Sequence, residues 1–298
     1  MSSKITDKTL IRFDWAIKRI LRNKANFSVV EGFLSVLLQK QVKIISINES
    51  ESNTELPDGK TNRVDILVED AKKQLLIIEI QNSYEIDYYL RMLYGVSKAV
   101  AEHLQKGDRY ANVRKVYHIN IIHFKLSGCI DYVYHGSTEF RGLHHGDVLE
   151  LTGKQKKFFS KNSIRELYPE YYILCACDFN DVALDNLDEW IFYLKNNSIP
   201  DSFTAQGLKE AREQLLYDKL SEYEKKDYDR HIDQTLYERN IIEDSFELGK
   251  EKGKAEGKAE GEKEKAISIA QNALKMGIPE EDIIKLTGLN REDLNNIQ

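Results

Sequence analysis

The sequence predicts a mixed α/β domain followed by a charged helical extension. Helical and strand-like stretches alternate over the first two thirds of the chain, β-branched residues fill the strand-like stretches, and Lys and Glu dominate the helical pattern that follows. Such alternation is typical of helices layered on a sheet. We therefore predict a sheet domain over residues 1–204, a charged helical segment over 205–265 and a short helical tail over 266–298.

The elements of the first domain follow from hydrophobic periodicity and from the turn residues between apolar stretches. The predicted elements are helices 13–21 and 29–39, strands 42–47, 63–69 and 74–81, helix 84–106, strands 113–124 and 171–179, and helix 187–195. A short polar segment joins strands 63–69 and 74–81, so we expect an antiparallel hairpin. Helix 84–106 has an apolar side that is expected to face the core. This side carries Ile86, Leu90, Leu93, Val100 and Leu104.

Charge is distributed unevenly along the chain. The net charge of -6 disfavours nucleic-acid binding if the chain is taken as a whole. Residues 1–200 contain 27 Lys and Arg against 26 Asp and Glu, which gives +1, whereas residues 201–298 contain 16 against 23, which gives -7. The charge argument against nucleic-acid binding therefore applies to the C-terminal third. In the first domain, a basic cluster at 18–24 could still contact phosphate.

Composition excludes several classes of protein. The longest apolar run, 171–177, is far shorter than the roughly 20 residues of a membrane helix. The N-terminal residues lack the apolar core of a signal peptide. Cys129, Cys175 and Cys177 lack metal-site spacing and predict reduced thiols in a cytoplasmic protein. We therefore expect a cytoplasmic protein with no membrane partner.

Glycines recur every four residues in the charged segment. They are Gly249, Gly253, Gly257 and Gly261. On a helix they form one stripe of small residues, although each costs about 1 kcal/mol of helix propensity relative to alanine. The stripe suits self-association, and a solvated helix or linker is an equal alternative. The closing helices look like a helix-turn-helix fragment, but 290–298 contains only Arg291 as a base, which is poor for a DNA-reading helix. We therefore prefer a homo-oligomer formed through the C-terminal helices.

Asp65, Glu79 and Gln81 are the residues with the clearest chemistry. Glu79 and Gln81 are two apart in a strand and point to the same face of the sheet. A hairpin loop of three or five residues would place Asp65 opposite Glu79, with Cβ atoms about 4.5–5.5 Å apart. A loop of even length would offset the two residues by one. Facing carboxylates repel each other, and Mg²⁺ or Mn²⁺ would supply the missing positive charge.

A set of short segments over most of the chain forms a combination typical of one family. The segments are RVDILV at 63–68, LIIEIQ at 76–81, YYLRMLYG at 88–95, FDWAIK at 13–18, NFSVVEGFL at 26–34, KGDRY at 106–110, VYHI at 116–119, LYPEY at 167–171 and TGLN at 287–290. In these segments the chain resembles the PD-(D/E)XK nuclease family transposases, also called recombination-promoting nucleases. The resemblance implies a restriction-endonuclease-like fold and metal-dependent cleavage of DNA.

Residue roles follow from the same resemblance. The superfamily motif is Asp, then Asp/Glu-x-Lys, which implies that Asp65, Glu79 and the carbonyl of Ile80 are metal ligands. Glu31 matches an additional acidic ligand on a helix. Gln81 occupies the lysine position, has no charge, and can only orient a water or a phosphate oxygen by hydrogen bonds. Water activation would then depend mainly on the metal, so we expect a slow or conditionally active enzyme.

The predicted function is Mg²⁺- or Mn²⁺-dependent endonucleolytic cleavage of DNA, linked through the family to recombination or transposition. Tyr88 and Arg91, on the helix after the hairpin, and Lys18 are expected to contact DNA. Two alternatives remain open. One is a DNA-binding or regulatory protein that has lost catalysis on the same fold, and the other is a self-associating scaffold.

Overall fold

The computed structural model describes residues 10–48, 66–126 and 128–296. The chain divides into two compact units, Met1–Thr235 and Leu236–Gln298. Among the helices that the structure describes, none combines the length and the apolar character needed to cross a bilayer.

The boundary of the first unit lies beyond the predicted one at residue 204. Leu208 and Leu215 are fully buried in the main core of this unit. The backbone also approaches closely there, because a Cβ atom on Gly32 would lie 2.4 Å from the Cα of Gly207. Residues just after 204 are therefore part of the packed sheet domain and not of a separate segment.

The first unit contains six strands and several flanking helices in its described part. The strands are β1 (Ile44–Asn48), β2 (Ile66–Asp70), β3 (Leu75–Gln81), β4 (Val116–Ile122), β5 (Val133–Gly136) and β6 (Glu170–Cys175). The helices are α1 (Phe13–Arg19), α2 (Phe27–Leu37), α3 (Tyr88–Glu102), α4 (Gly153–Phe159), α5 (Asn186–Asn196) and α6 (Leu208–Gln214), followed by the start of α7 (Glu222–Lys275). The strands form one mixed sheet in the order β1-β2-β3-β4-β6-β5, with β3, β4 and β6 parallel. The predicted mixed sheet with flanking helices is confirmed.

The β2–β3 hairpin has the register predicted for a loop of odd length. Ile66 pairs with Ile78 in an antiparallel ladder. The turn is fixed by Asp70, whose Oδ1 accepts a hydrogen bond from the amide of Gln74 at 2.8 Å. Asp65, for which this register matters most, lies outside the described residues.

The two faces of β3 have different surroundings. On one face, Ile78 joins the main core, to which α1, α2 and α5 contribute. On the other face, Leu75 and Ile77 pack against residues of α3. Because side chains alternate along a strand, Glu79 and Gln81 also belong to the face that α3 covers. The sheet face beneath α3 is therefore apolar at one end and polar at the other.

α3 covers the sheet with a different side from the one predicted. Its buried residues are Tyr88, Met92, Gly95, Val96 and Ala99. Ile86, Leu90 and Leu93 are exposed, so the prediction that they face the core is wrong. The polar end of the sheet face explains this difference, because the stripe with Tyr88 and Arg91 lies against it.

The second unit consists of the rest of α7, α8 (Glu280–Thr287) and α9 (Arg291–Asn295). Its small core contains Ala270, Ala273, Ile283, Leu289 and Leu294. α8 ends at Gly288, whose φ of 70° suits glycine. The side chain of Asn290 begins α9 by accepting a hydrogen bond from the amide of Asp293 at 2.7 Å. The predicted C-terminal helical extension is confirmed.

Candidate active site

Glu79 is a buried carboxylate near the end of a central strand. It is 1% exposed, and within the described part of the chain neither of its oxygens has a hydrogen-bond partner. Among the described residues, the ring of His118 lies close to it, with Nε2 3.4 Å from Oε2 but without a hydrogen bond between them. Removing an ionised carboxylate from water costs several kcal/mol unless a partner compensates for it. This position therefore suits a bound cation.

Other polar side chains around Glu79 are also buried and have atoms without hydrogen-bond partners. His118 and Asn120 lie on β4, and Asn120 pairs directly with Glu79 in the parallel ladder. Among the described residues, both ring nitrogens of His118, the Oδ1 of Asn120 and the hydroxyl of Tyr88 have no hydrogen-bond partner. Burial raises the pKa of Tyr88 well above its usual range, and the charge of Glu79 raises it further. Tyr88 is therefore a neutral phenol that can donate a hydrogen bond.

Gln81 and Arg91 form a polar pair beside this group. In the amide orientation that satisfies hydrogen bonding, the Gln81 side-chain oxygen accepts from Nη2 and Nη1 of Arg91 at 3.1 and 3.2 Å. Nη1 of Arg91 also donates to Glu85 at 2.8 Å. A permanent positive charge thus stands next to Gln81. The sequence singled out Arg91 for phosphate binding but gave no sign of its contact with Gln81.

Two predicted site residues lie elsewhere in the first unit. The carboxylate of Glu31 accepts hydrogen bonds from Nζ of Lys43 and from the amide of Ile44, both at 2.9 Å. Ile44 pairs with Asp70, at the opposite end of the hairpin from Glu79. Lys18 is half-buried on α1, which packs into the core on the other sheet face. Glu31 therefore lies toward the far end of the hairpin from Glu79, and Lys18 belongs to a helix that packs on the other face of the sheet.

A second polar cluster, which the sequence did not reveal, fixes the chain directly after β3. The carboxylate of Asp14 accepts from Arg12 at 2.9 Å and from Asn82 at 3.4 Å, and its Oδ2 lies 3.2 Å from Nε2 of His231. Burial opposes ionisation of Asp14, but the His231 hydrogen bond and the Arg12 charge hold its pKa well below its usual range. Asp14 belongs to the FDWAIK segment, and the family resemblance of that segment is the sequence feature that could have pointed to this residue.

Of the predicted metal ligands, Glu79, Ile80 and Glu31 lie within the described residues. In residues 10–48, 66–126 and 128–296, no three His, Cys, Asp or Glu side chains form a group able to hold an ion. Asp65, the first predicted ligand, lies outside these ranges. Glu79 itself fits a metal site, because its two oxygens are buried and available in a polar environment.

Comparison with protein families agrees with this architecture. Residues 11–245 match the model described as PD-(D/E)XK nuclease family transposase. The chain therefore belongs to this family, and its mixed sheet with flanking helices is the restriction-endonuclease-like α/β fold that the resemblance implied. No curated protein matches the chain, and no solved structure matches it either.

The end of the chain has a match of its own. Residues 263–298 match the model described as Rpn/YhgA-like nuclease family, C-terminal HTH domain. In the sequence, the scarcity of basic residues in 290–298 favours oligomerisation over a DNA-reading helix. The match favours the helix-turn-helix class. The two matches together support a nuclease or transposase-family role with a DNA-binding module at the C-terminus.

Proposed function

We propose that the chain is a divalent-metal-dependent DNA endonuclease with its active site around Glu79. The observation that carries this proposal is the buried carboxylate of Glu79, which has no hydrogen-bond partner among the described residues and lies in a domain that matches a nuclease family. A buried carboxylate without a hydrogen-bond partner is unfavourable in a purely structural role. It is useful where a cation must bind.

Asp65, Glu79 and the carbonyl of Ile80 would hold Mg²⁺ or Mn²⁺ in this proposal. When bound, the ion lowers the pKa of a water molecule and neutralises charge that develops on a phosphoryl oxygen. Glu31 is left out of the ligand set, because both of its oxygens already accept hydrogen bonds. A DNA substrate and three free cysteines agree with a cytoplasmic location.

The remaining groups would position the substrate and stabilise charge. Gln81 can donate or accept hydrogen bonds but cannot carry charge, so it orients the attacking water or a phosphate oxygen. Arg91, in contact with Gln81, supplies the positive charge that a motif lysine would supply. The hydroxyl of Tyr88 donates a hydrogen bond to an acceptor oxygen in the site. With no lysine at position 81, we expect slow turnover.

DNA is the proposed partner of both units. Lys18 is proposed to contact the backbone at the edge of the first unit, and the helix-turn-helix match supports additional binding by residues 263–298. The link to recombination or transposition comes from the family description alone. Self-association through the C-terminal helices stays a prediction.

Plasmid cleavage by purified protein tests the proposal. The wild type should nick supercoiled DNA with Mg²⁺ or Mn²⁺ and not with EDTA. Asp65→Ala and Glu79→Ala should each lose at least about a hundredfold in rate, because they remove metal ligands. Glu69→Ala is the matched control: Glu69 lies on the same hairpin but bonds to Arg114 at 3.0 Å. Equal cleavage by all four proteins would refute the proposal.

A catalytically inactive DNA-binding regulator on the same fold is the second candidate. It is favoured by the neutral Gln81 at the lysine position and by the C-terminal helix-turn-helix match. For this candidate, the wild type should bind DNA without cutting it under any metal condition. Asp65→Ala and Glu79→Ala should then leave DNA affinity unchanged.

A further inference from the structure

The outer face of α3 is apolar and has no covering element among the described residues. We define this face by Ile86, Tyr89, Leu90, Leu93 and Tyr94, which are between 47% and 90% exposed. The inner side of the helix is already packed against the sheet. Residues spaced by three and four positions form one stripe on a helix, so Tyr89, Leu90, Leu93 and Tyr94 share one stripe of α3, and Ile86 lies in the turn just before the helix begins. α3 is thus apolar toward the solvent as well as toward the core.

This face continues into a groove of about 960 Å³ beside the C-terminal half of α3. Leu93 belongs to both surfaces. The groove is also lined by Tyr110 and Phe158, which are 88% and 65% exposed. The outer face of α3 and the groove therefore form one extended apolar surface.

The exposed area is larger than a monomeric protein normally shows. A large side chain has roughly 150–250 Å² of surface. At the observed exposures, the five residues of the outer face together with Tyr110 and Phe158 present on the order of 900 Å². The largest apolar patch on a typical monomer is about 300–600 Å². A specific interface needs about 800 Å² from each partner, so this surface is large enough for a stable dimer.

The charges on α3 disfavour DNA as the occupant. Nucleic-acid surfaces need Lys or Arg directed at phosphates. The two bases of the helix, Arg91 and Lys98, are half-buried and do not belong to its outer face, and Arg91 is directed at Gln81 on the inner side. Next to the exposed apolar positions stands the acidic Asp87, and the adjoining groove is lined by a single described base, Arg109. The surface therefore suits protein and not a polyanion.

We propose that the outer face of α3 and the adjoining groove together form a homodimer interface that packs against the same surface of a second copy. A helix stripe can be self-complementary about a two-fold axis, because each residue then meets its counterpart from the other chain. The same helix carries Tyr88 and Arg91 on its inner side. If the proposed function holds, such a dimer has one active site on each side of the shared helix pair and can cut both DNA strands.

Molar mass by light scattering, measured on the full chain at micromolar concentration, tests the dimer without any need for nuclease activity. The wild type should have twice the mass of one chain. The variant Leu90→Asp/Leu93→Asp should have the mass of one chain, because buried carboxylates in the interface would be unpaired. Unchanged circular dichroism would show that this variant is folded, as expected for two exposed positions.

A matched variant separates this interface from association through the C-terminal helices. Ile242→Asp/Phe246→Asp changes two exposed apolar residues of α7 and should leave the dimer intact. Three results would overturn the proposal: a monomeric wild type, wild-type mass in the Leu90/Leu93 variant, or dissociation caused only by the α7 variant. A monomeric wild type whose DNA affinity falls in the Leu90/Leu93 variant would assign the surface to DNA instead. The role of the dimer in cutting both DNA strands is tested separately with plasmid DNA. The wild type should give linear product, and the Leu90/Leu93 variant should give only nicked product. This last test alone rests on the proposed function.

Discussion

Replacing Glu79 by glutamine removes one charge from the buried wall of the site and preserves the shape of the side chain. The carboxylate is 1% exposed and lacks a hydrogen-bond partner among the described residues. A buried, uncompensated charge costs several kcal/mol, whereas an unsatisfied neutral amide costs about 1–3 kcal/mol. We therefore expect Glu79→Gln to raise the unfolding free energy of the metal-free protein by on the order of 2 kcal/mol.

The effect is large enough to measure by thermal unfolding. For a unit of this size, 1 kcal/mol corresponds to about 2–4 °C in the midpoint, so the variant should melt roughly 4–8 °C higher in EDTA. Mn²⁺ at about 100 times its Kd should stabilise the wild type by about 2.7 kcal/mol and the variant by almost nothing. The difference between the two midpoints should therefore shrink or reverse when the ion is added.

Circular dichroism melts with EDTA and with Mn²⁺, on both proteins and on Glu69→Gln as a control, provide the assay. The control should show the wild-type response to Mn²⁺, because Glu69 already bonds to Arg114. A Glu79→Gln variant that melts below the wild type in EDTA would refute the argument that the buried charge is uncompensated. Equal Mn²⁺ shifts in all three proteins would refute the assignment of Glu79 as a ligand.

Substitutions at three further positions test the site and other parts of the first unit. Arg91→Ala should slow plasmid cleavage by about a hundredfold without weakening Mn²⁺ binding, because it removes charge stabilisation and no ligand; Arg91→Lys should restore part of the rate. Burial lowers the pKa of His123 to about 4, whereas the unfolded chain binds this proton near pH 6.5. The free energy of unfolding should therefore fall as the pH drops from about 6.5 to about 4. His123→Gln should flatten that part of a denaturant-unfolding profile, and the exposed His144→Gln should not. Asp14→Asn should reduce the unfolding free energy at pH 7 by about 3–5 kcal/mol. A carboxyl with a depressed pKa stabilises the fold only while it is ionised, so the wild type should lose stability below about pH 4 and Asp14→Asn should lose less. Wild-type stability in Asp14→Asn would contradict the stabilising role of the polar cluster around Asp14.

The hairpin could be predicted from sequence because its determinants are local. A short polar connection between two apolar strands fixes an antiparallel pair, and an odd loop fixes which residues face each other. The Asp70 side chain bonds to the amide of Gln74 within the turn and sets that loop length. Glu79 and Gln81 could be placed on one face for the same reason, since alternation along a strand needs no tertiary information.

The packing of α3 could not be predicted by the same reasoning. An apolar stripe usually identifies the buried side of a helix, but α3 has apolar residues on two sides. The choice between them depends on the sheet face beneath, where Glu79 and Gln81 make one end polar. The long-range contacts were equally inaccessible: Asp14 meets Asn82 and His231, which are 68 and 217 residues away along the chain.

The domain boundary predicted at residue 204 shows that composition alone does not locate the end of a packed core. A change from mixed to charged helical composition suggested a new segment, yet Leu208 and Leu215 complete the first core. Composition averages over a window, whereas a few buried leucines decide where a domain ends. β5, at Val133–Gly136, was missed because a strand of four residues gives too short a pattern to recognise.

Binding of Mn²⁺, measured by electron paramagnetic resonance on the purified full chain, tests the central claim most directly, because it reports the metal site without requiring catalysis. We predict a specific ion for each wild-type chain, and loss of that ion in Asp65→Ala and in Glu79→Gln, with Glu69→Gln unchanged. Identical Mn²⁺ binding by the wild type and both ligand variants would contradict it.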